Sequence, residues 1–296
     1  MDSPLPDDIA QSVRRALAED VGSGDLTAML VPAEATGTAE LITREAMVLC
    51  GTAWVDAVFR ELDPDITLTW HASDGDHVAA GAVLCTLSGL VRPILTGERT
   101  ALNFLQTLSG TATVAAAWAN ALVGSRTKVL DTRKTLPGLR AAQKYAVRCG
   151  GCSNHRMGLW DGILIKENHI LAAGGITAAV AAARQTIDAG VRPQQVGSDP
   201  RGHFIEVEVE NLAELHEAIT AGADIAMLDN FSLEGIREAT HAAQGRIQLE
   251  VSGNVTLERL PELAATGVDF ISAGTLTKDL RAIDLSLRFR YNLNSV

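Results

Sequence analysis

Nine basic side chains crowd one stretch of the chain: Arg126, Lys128, Arg133, Lys134, Arg140, Lys144, Arg148, Arg156 and Lys166, opposed only by Asp131 and Asp161. The stretch carries +7 in a protein of formal net charge -11, so the rest of the chain holds -18. A dense positive cluster inside an acidic protein is the mark of a focused anion site. Arginine meets a carboxylate or phosphate with two parallel hydrogen bonds, whereas lysine is a point charge suited to a diphosphate. A site holding several of each therefore wants a ligand with several anionic groups. Arg133, Lys134, Arg156 and Lys166 fall at strand ends or in Gly-rich turns, where function concentrates. Arg140, Lys144 and Arg148 recur at spacing four and read as a solvated helix face, surface or interface charge. Glu208 and Asp229, also at strand ends, supply the opposite sign. They could hold Mg²⁺ with substrate phosphates, stabilise a developing cation, or bind ribose hydroxyls. Glu206, Glu208 and Glu210 alternate with Val207 and Val209 and so point to one side of their strand. Cys149-Gly-Gly-Cys152 is a Cys-x-x-Cys that could be a redox couple or half a zinc site, but no second Cys or His pair lies at zinc-finger spacing. Its Gly-Gly interior reads better as a turn that lets backbone or phosphate approach. Gly22 and Gly24 open no dinucleotide fingerprint.

The elements that must position these groups change period along the chain. Residues 7–21 predict a helix with Asp7 or Asp8 as N-cap, an apolar stripe at Ile9, Val13 and Leu17, and Gly22 as the stop. From Gly37 to Leu90 short β segments alternate with Gly, Asp and Pro, predicting an antiparallel or mixed sheet. Asp74 to Gly89 has the glycine-punctuated hairpin look of a biotinyl or lipoyl carrier, but Lys is absent from the first 127 residues, so nothing there could be modified. Residues 98–123 predict a helix with a possible break at Gly110. Beyond Ser125 one unit repeats: a β-branched run ending in a polar residue, then a helix, then Gly. The strand ends are Asp131, Lys166, Glu208, Asp229, Ser252 and Ser272, and helix caps are Asn211 with Gly222, Ser232 with Gly245 and Thr256 with Gly267. Such βα units imply a parallel sheet, and polar residues at every C-terminal strand end imply an α/β barrel. Six strands fall short of eight, so the barrel is incomplete or two strands are weakly patterned. Gln185 to Gly202 breaks the spacing and reads as a surface loop.

At 47% hydrophobic and 21% charged the chain is neither disordered nor fibrous, and its negative charge argues against nucleic acid as partner. The N-terminus is acidic with no apolar run, and the longest apolar stretch, Ile170 to Ala183, is interrupted by Gly174, Gly175 and Thr177. No membrane is expected, and with four cysteines and no disulfide framework the reading is a cytoplasmic protein.

Asp131 to Ile170, DTRKTLPGLRAAQKYAVRCGGCSNHRMGLWDGILIKENHI, resembles the signature stretch of the quinolinate phosphoribosyltransferase family, the decarboxylating nicotinate-nucleotide pyrophosphorylases. So do EDVGSGDLTA, ERTALNFLQTLSGTAT, EVEVEN, MLDNF, EVSGN and GVDFISAGTLT, in order over nearly the whole chain. The resemblance implies an α/β fold: an N-terminal α/β sandwich, residues 1–108 joined by 276–296, and an incomplete TIM-like α/β barrel, 109–275. It implies the reaction of quinolinate with phosphoribosyl pyrophosphate, with Mg²⁺, to give nicotinate mononucleotide, pyrophosphate and CO2. Arg133, His155 and Arg156 would hold the two quinolinate carboxylates with Thr132 and Lys166 nearby, and Arg99 would join them from the other subunit of a homodimer. Lys134, Glu208 and Asp229 would handle the phosphoribosyl pyrophosphate and its metal. Ser252, Gly253 and Asn254, with Ser272, Ala273 and Gly274, would cradle the 5-phosphate. Three positions depart from the family pattern: Cys152 replaces Gly or Ala, Gln194 to Gly202 is an insertion, and Lys278-Asp279 replaces His-Ser. Rival readings are a relative of the same fold linked to molybdate transport or using nicotinate, and a Schiff-base barrel enzyme with Lys166 as nucleophile. The paired arginines and the Asn154-His155-Arg156 turn favour a dicarboxylate.

Overall fold

A computed structural model describes residues 4–190 and 204–290. The chain runs α1 (Ile9–Val21), β1 (Thr36–Thr43), β2 (Met47–Val48), α2 (Thr52–Leu62), β3 (Thr67–Trp70), β4 (His77–Val78), β5 (Val83–Leu90) and α3 (Val91–Ala121). It continues with β6 (Lys128–Leu130), α4 (Arg140–Cys149), β7 (Ile163–Ile165), α5 (Glu167–Ala173), α6 (Ile176–Asp188), β8 (Ile205–Val209), α7 (Leu212–Ala221) and β9 (Ile225–Asp229). The last elements are α8 (Leu233–Ala243), β10 (Gln248–Ser252), α9 (Leu260–Ala264), β11 (Phe270–Ser272), α10 (Thr275–Lys278) and β12 (Leu285–Arg290). The described residues form two compact units, one of 4–116, 136–151 and 279–290, the other of 117–135, 152–190 and 204–278.

The first unit is an α/β sandwich. Its antiparallel sheet has the order β12-β1-β5-β3, so a strand from the end of the chain pairs with one near the beginning, Thr43 opposite Leu285. Alternation puts Ala39 and Leu41 of β1 inward, where they join Leu84 and Leu87 of β5, Val13 and Leu17 of α1, and Trp54, Val58 and Phe59 of α2 in one core. The hairpin read from Asp74 to Gly89 does not form: β4 pairs with β2, and β5 lies between β1 and β3. Gly110 does not break α3. A Cβ there would sit 2.3 Å from the Arg281 carbonyl oxygen, so the glycine serves close approach rather than interruption. Arg140–Cys149, counted with the barrel by chain order, packs in this unit. Its row at spacing four is not a solvated face: Lys144 is 0% exposed, and Arg148 donates to the Pro4 carbonyl and lies over the Tyr145 ring.

The second unit is the parallel sheet β6-β11-β10-β9-β8-β7, in which the first strand pairs with the last, as closure into a barrel requires. A single parallel bridge, Leu130 to Ser153, adds a seventh position beside β6. The weakly patterned piece is therefore the turn around Ser153. Strand β9 reads as a continuous apolar run because both its faces are covered. The Asn211 side chain accepts from Glu214 N and Ser232 from Gly235 N, capping α7 and α8 as their sequences indicate. The surface loop read from Gln185 begins later, since α6 runs to Asp188, and its remainder at 191–202 lies outside the described residues. Among the described residues no single helix is long and apolar enough to cross a membrane. The apolar stretch Ile170 to Ala183 is split between α5 and α6, which meet at 89° about Gly174 and Gly175.

Candidate active site

The C-terminal ends of the barrel strands surround a cavity of about 600 Å³ lined by Thr132, Arg133, Lys134, His155, Arg156, Leu164, Lys166, Glu208, Met227, Asp229, Asn230, Ser252, Gly253, Asn254 and Ser272. The sequence-predicted cations and carboxylates thus come together. Ala273 and Gly274 continue the β11 turn, where a Cβ on Gly274 would lie 3.0 Å from Lys134 Cδ and 3.4 Å from Thr132 Oγ1. Arg99 belongs to the first unit, on the exposed side of α3, in a hollow with Asp20, Gly24, Asp25, Leu26 and Thr96.

Buried Asp131, just after β6, organises one wall. Its Oδ2 accepts from Asn154 Nδ2 at 2.6 Å and its Oδ1 from His155 N at 2.9 Å, which fixes the turn that presents His155 and Arg156. His155 is 6% exposed and meets Phe204 edge-on. Its Nδ1 accepts from Arg156 N at 2.7 Å, so the ring proton resides on Nε2. That nitrogen faces two buried carboxylates, Glu206 at 3.3 Å and Glu250 at 3.7 Å. Arg156, also buried, donates from Nη1 to the Gly162 carbonyl, which leaves the guanidinium oriented at the cavity wall. Sequence reasoning missed Asp131 and Glu250 as site residues and had Asn154 only as part of the Asn154-His155-Arg156 turn. Glu206 was visible only as the partner of Glu208 in the alternating strand, and burial divides the two: Glu206 is inside the barrel and Glu208 is at its mouth. Glu210 lies beyond the strand end and is exposed.

At the opposite wall Lys166 Nζ pairs with the Glu208 carboxylate. The strand register sets Glu208 opposite Met227 and Asp229 opposite Ser252, which brings the two carboxylates to the same rim. Burial raises the Asp229 carboxyl above the ordinary range and the Glu208 charge adds to it, while Lys166, Lys134 and an Asn230 hydrogen bond oppose. Asn230 and Asn254 adopt left-handed backbone at φ 55° and 48°, and Gly253 sits at φ 90° between β10 and the next turn. A Cβ on Gly253 would fall 2.2 Å from Asn230 Oδ1, and its left-handed backbone favours glycine as well, so any side chain here strains the turn. Thr132 Oγ1 accepts from Lys134 N at 3.0 Å, and Thr277 Oγ1 donates to Lys134 O at 2.8 Å, fixing the β6 loop from both sides. Cys152 is not among the lining residues. It is buried near Asp131 and Ala119, and burial pushes its thiol up to about 12. Lys278 ends α10 and is exposed.

This arrangement can bind a compact ligand with several negative groups and, at Glu208 and Asp229, meet positive charge. Residues 25–109 match the quinolinate phosphoribosyl transferase N-terminal domain and residues 111–288 the corresponding C-terminal domain. A relative from Bacillus subtilis (strain 168), called a probable nicotinate-nucleotide pyrophosphorylase [carboxylating], is 40% identical over 94% of this chain and 92% of its own. The chloroplastic nicotinate-nucleotide pyrophosphorylase [carboxylating] of Arabidopsis thaliana is 38% identical over 95% of this chain and 82% of its own. The solved nicotinate-nucleotide pyrophosphorylase of Francisella tularensis superposes with a TM-score of 0.90 at 50% identity, covering 97% of this chain and 98% of that one. With both domains matched in order and full-length relatives well above 30% identity, the chain belongs to the quinolinate phosphoribosyltransferase family.

Proposed function

We propose that the chain transfers the phosphoribosyl group of phosphoribosyl pyrophosphate to the ring nitrogen of quinolinate and removes one carboxylate, giving nicotinate mononucleotide, pyrophosphate and CO2. The observation that carries this reading is the sorting of charge in one cavity: Arg133, Lys134, Arg156 and Lys166 with Glu208 and Asp229 among them. Quinolinate brings two carboxylates and the co-substrate a diphosphate and a monophosphate, for which such a set is the complement. Arg133 and Arg156 are assigned to the quinolinate carboxylates, with Thr132 and Lys166 adjoining. His155 lines the floor, and with Nδ1 taken by the Arg156 amide and Nε2 turned to Glu206 and Glu250 its share is to set the direction of Arg156. Lys134 is assigned to the diphosphate. The turns Ser252–Asn254 and Ser272–Gly274 offer backbone amides to the 5-phosphate.

Glu208 and Asp229 suit a divalent cation: they are hard oxygen donors from adjacent strands, and the mutual repulsion felt at Asp229 is what a cation relieves. Mg²⁺ bound there would neutralise charge on the diphosphate as it leaves. As pyrophosphate departs, positive charge grows at the ribose carbon, and Glu208 or Asp229 stabilises it while the pyridine nitrogen attacks. The new charge on the ring then draws in the electrons of the breaking carboxylate bond, CO2 leaves, and the vacated ring carbon takes a proton from solvent. Arg99 is assigned to the active site of a second copy in a homodimer. Its hollow is lined by Leu26, and Leu26 with the nearby-in-sequence Met29 and Leu30 is 79%, 63% and 83% exposed in turn, apolar surface that favours cover by another chain. All reactants are small soluble anions, in keeping with a cytoplasmic enzyme. Glu208→Gln and Asp229→Asn should each lower kcat by about 100-fold, roughly 2.7 kcal/mol, while quinolinate binding without co-substrate changes only severalfold. Near-full kcat in both variants would overturn the assignment.

A further inference from the structure

The first unit holds a cluster of nucleophilic side chains that the reaction does not use. Cys50, at the β2–α2 turn, and Cys149, the last residue of α4, bring their sulfurs and an Asp74 carboxylate oxygen within 4.8 Å of one another. The sequence pairs Cys149 with Cys152 by spacing, but in the fold its neighbour is a residue ninety-nine positions earlier. Cys50 is fully buried and held firmly, its N–H donating to Ser109 Oγ at 3.0 Å and its carbonyl accepting from the same hydroxyl at 3.1 Å. Cys149 is half-buried.

The two thiols are unlike. A hydrogen bond from Cys50 holds the Cys149 thiol below its ordinary range, helped by Tyr145 and the Arg148 charge and opposed by burial and Asp74. Burial, with Cys149 and Asp74 adding, pushes Cys50 well up. The half-buried Cys149 is the sulfur that an oxidant from solvent meets first and the fully buried Cys50 is its neighbour, the placement that a reacting and a resolving thiol need. A metal suits the cluster poorly. Asp74 Oδ1 already accepts from Gly51 N and Thr52 N, capping α2, and its Oδ2 accepts from Tyr145 Oη at 2.9 Å.

We propose that Cys50 and Cys149 are a peroxide-responsive dithiol that closes to a disulfide. The Cys149 thiolate attacks a hydroperoxide oxygen; the S–O bond forms as the O–O bond breaks, and the departing oxygen takes a proton, leaving Cys149 sulfenic acid. Cys50 then gives up its proton and attacks the Cys149 sulfur. The S–S bond forms, the S–O bond breaks, and the hydroxide leaves with that proton as water. Two thiols lose two electrons, and with hydrogen peroxide two waters result. The bridge ties the end of α4 to the β2–α2 turn across the first unit.

The test exposes the full-length wild-type protein to hydrogen peroxide, blocks remaining thiols with N-ethylmaleimide, and maps unreduced peptides by mass spectrometry. The expected product has lost two hydrogens, links the Cys50 and Cys149 peptides, and returns to the thiol form with dithiothreitol, while Cys85 and Cys152 stay unoxidised. Cys50→Ser should stop at a dimedone-trappable sulfenic acid on Cys149, and Cys149→Ser should abolish the reaction. The wild-type map stands alone if either variant folds poorly. A Cys149–Cys152 link, or Cys50 and Cys149 both recovered as free thiols under peroxide that oxidises glutathione, would overturn the proposal.

Discussion

Arg156 and Arg133 reach the cavity with different support: Arg156 is buried and anchored to Gly162, whereas Arg133 is exposed on the β6 loop. Replacing Arg156 by Lys removes the fork and its carbonyl contact, and kcat/KM for quinolinate should fall on the order of 100-fold, about 2.7 kcal/mol, in steady-state assays. Asp229 makes a second prediction, in stability. Its folded-state carboxyl is raised, so the folded protein pays for ionising it, and stability is lost as pH rises from the ordinary carboxylate value through the raised one. Asp229→Asn should therefore melt higher than the wild type at pH 7, with the gain shrinking toward acid pH, while activity collapses. A lower melting temperature at neutral pH would contradict the repulsion. At this scale the exposed chemistry was readable from sequence because strand ends carry it: Lys166, Glu208 and Asp229 each terminate a short strand-like run rich in apolar residues. Asp131 and Glu250 were not, since their roles depend on burial inside the barrel, which no local pattern records. Lys144 misled for the same reason, spacing four being blind to which face is covered.

At the scale of elements, two glycines do work that their types alone did not reveal. Gly253→Ala meets both a left-handed backbone and the Asn230 side chain, so it should cost about 1–3 kcal/mol and weaken the turn assigned to the 5-phosphate, raising KM for phosphoribosyl pyrophosphate more than for quinolinate. Gly110→Ala drives a methyl into the Arg281 carbonyl and should lower the melting temperature with little change in KM. Equal KM values in the first variant, or unchanged melting in the second, would show that those turns relax freely. The six barrel strands were readable because βα units repeat with polar ends. The pairing of β4 with β2 was not, because two-residue strands carry no period and their partners are set by the sheet around them.

For the whole molecule, the charge division remains the feature that unites sequence, fold and chemistry: a +7 stretch in a -18 remainder folds so that its strand-end members share one cavity. The last strand, β12, pairs with β1 in the first unit, so the chain returns to the sheet it started from. If Arg99 completes the site of a second copy, Arg99→Ala and Lys134→Ala should each be nearly inactive alone. Mixed and reassociated they should recover roughly a quarter of wild-type activity, since random pairing leaves half the dimers with one intact site. No recovery on mixing would place Arg99 with its own chain's site or with none. The central claim is tested most directly by CO2 release from carboxyl-labelled quinolinate supplied with phosphoribosyl pyrophosphate and Mg²⁺, run beside nicotinate. Stoichiometric labelled CO2 and nicotinate mononucleotide from quinolinate, with no nucleotide from nicotinate, is the predicted result; no release at saturating substrates, or equal turnover of nicotinate, would contradict it.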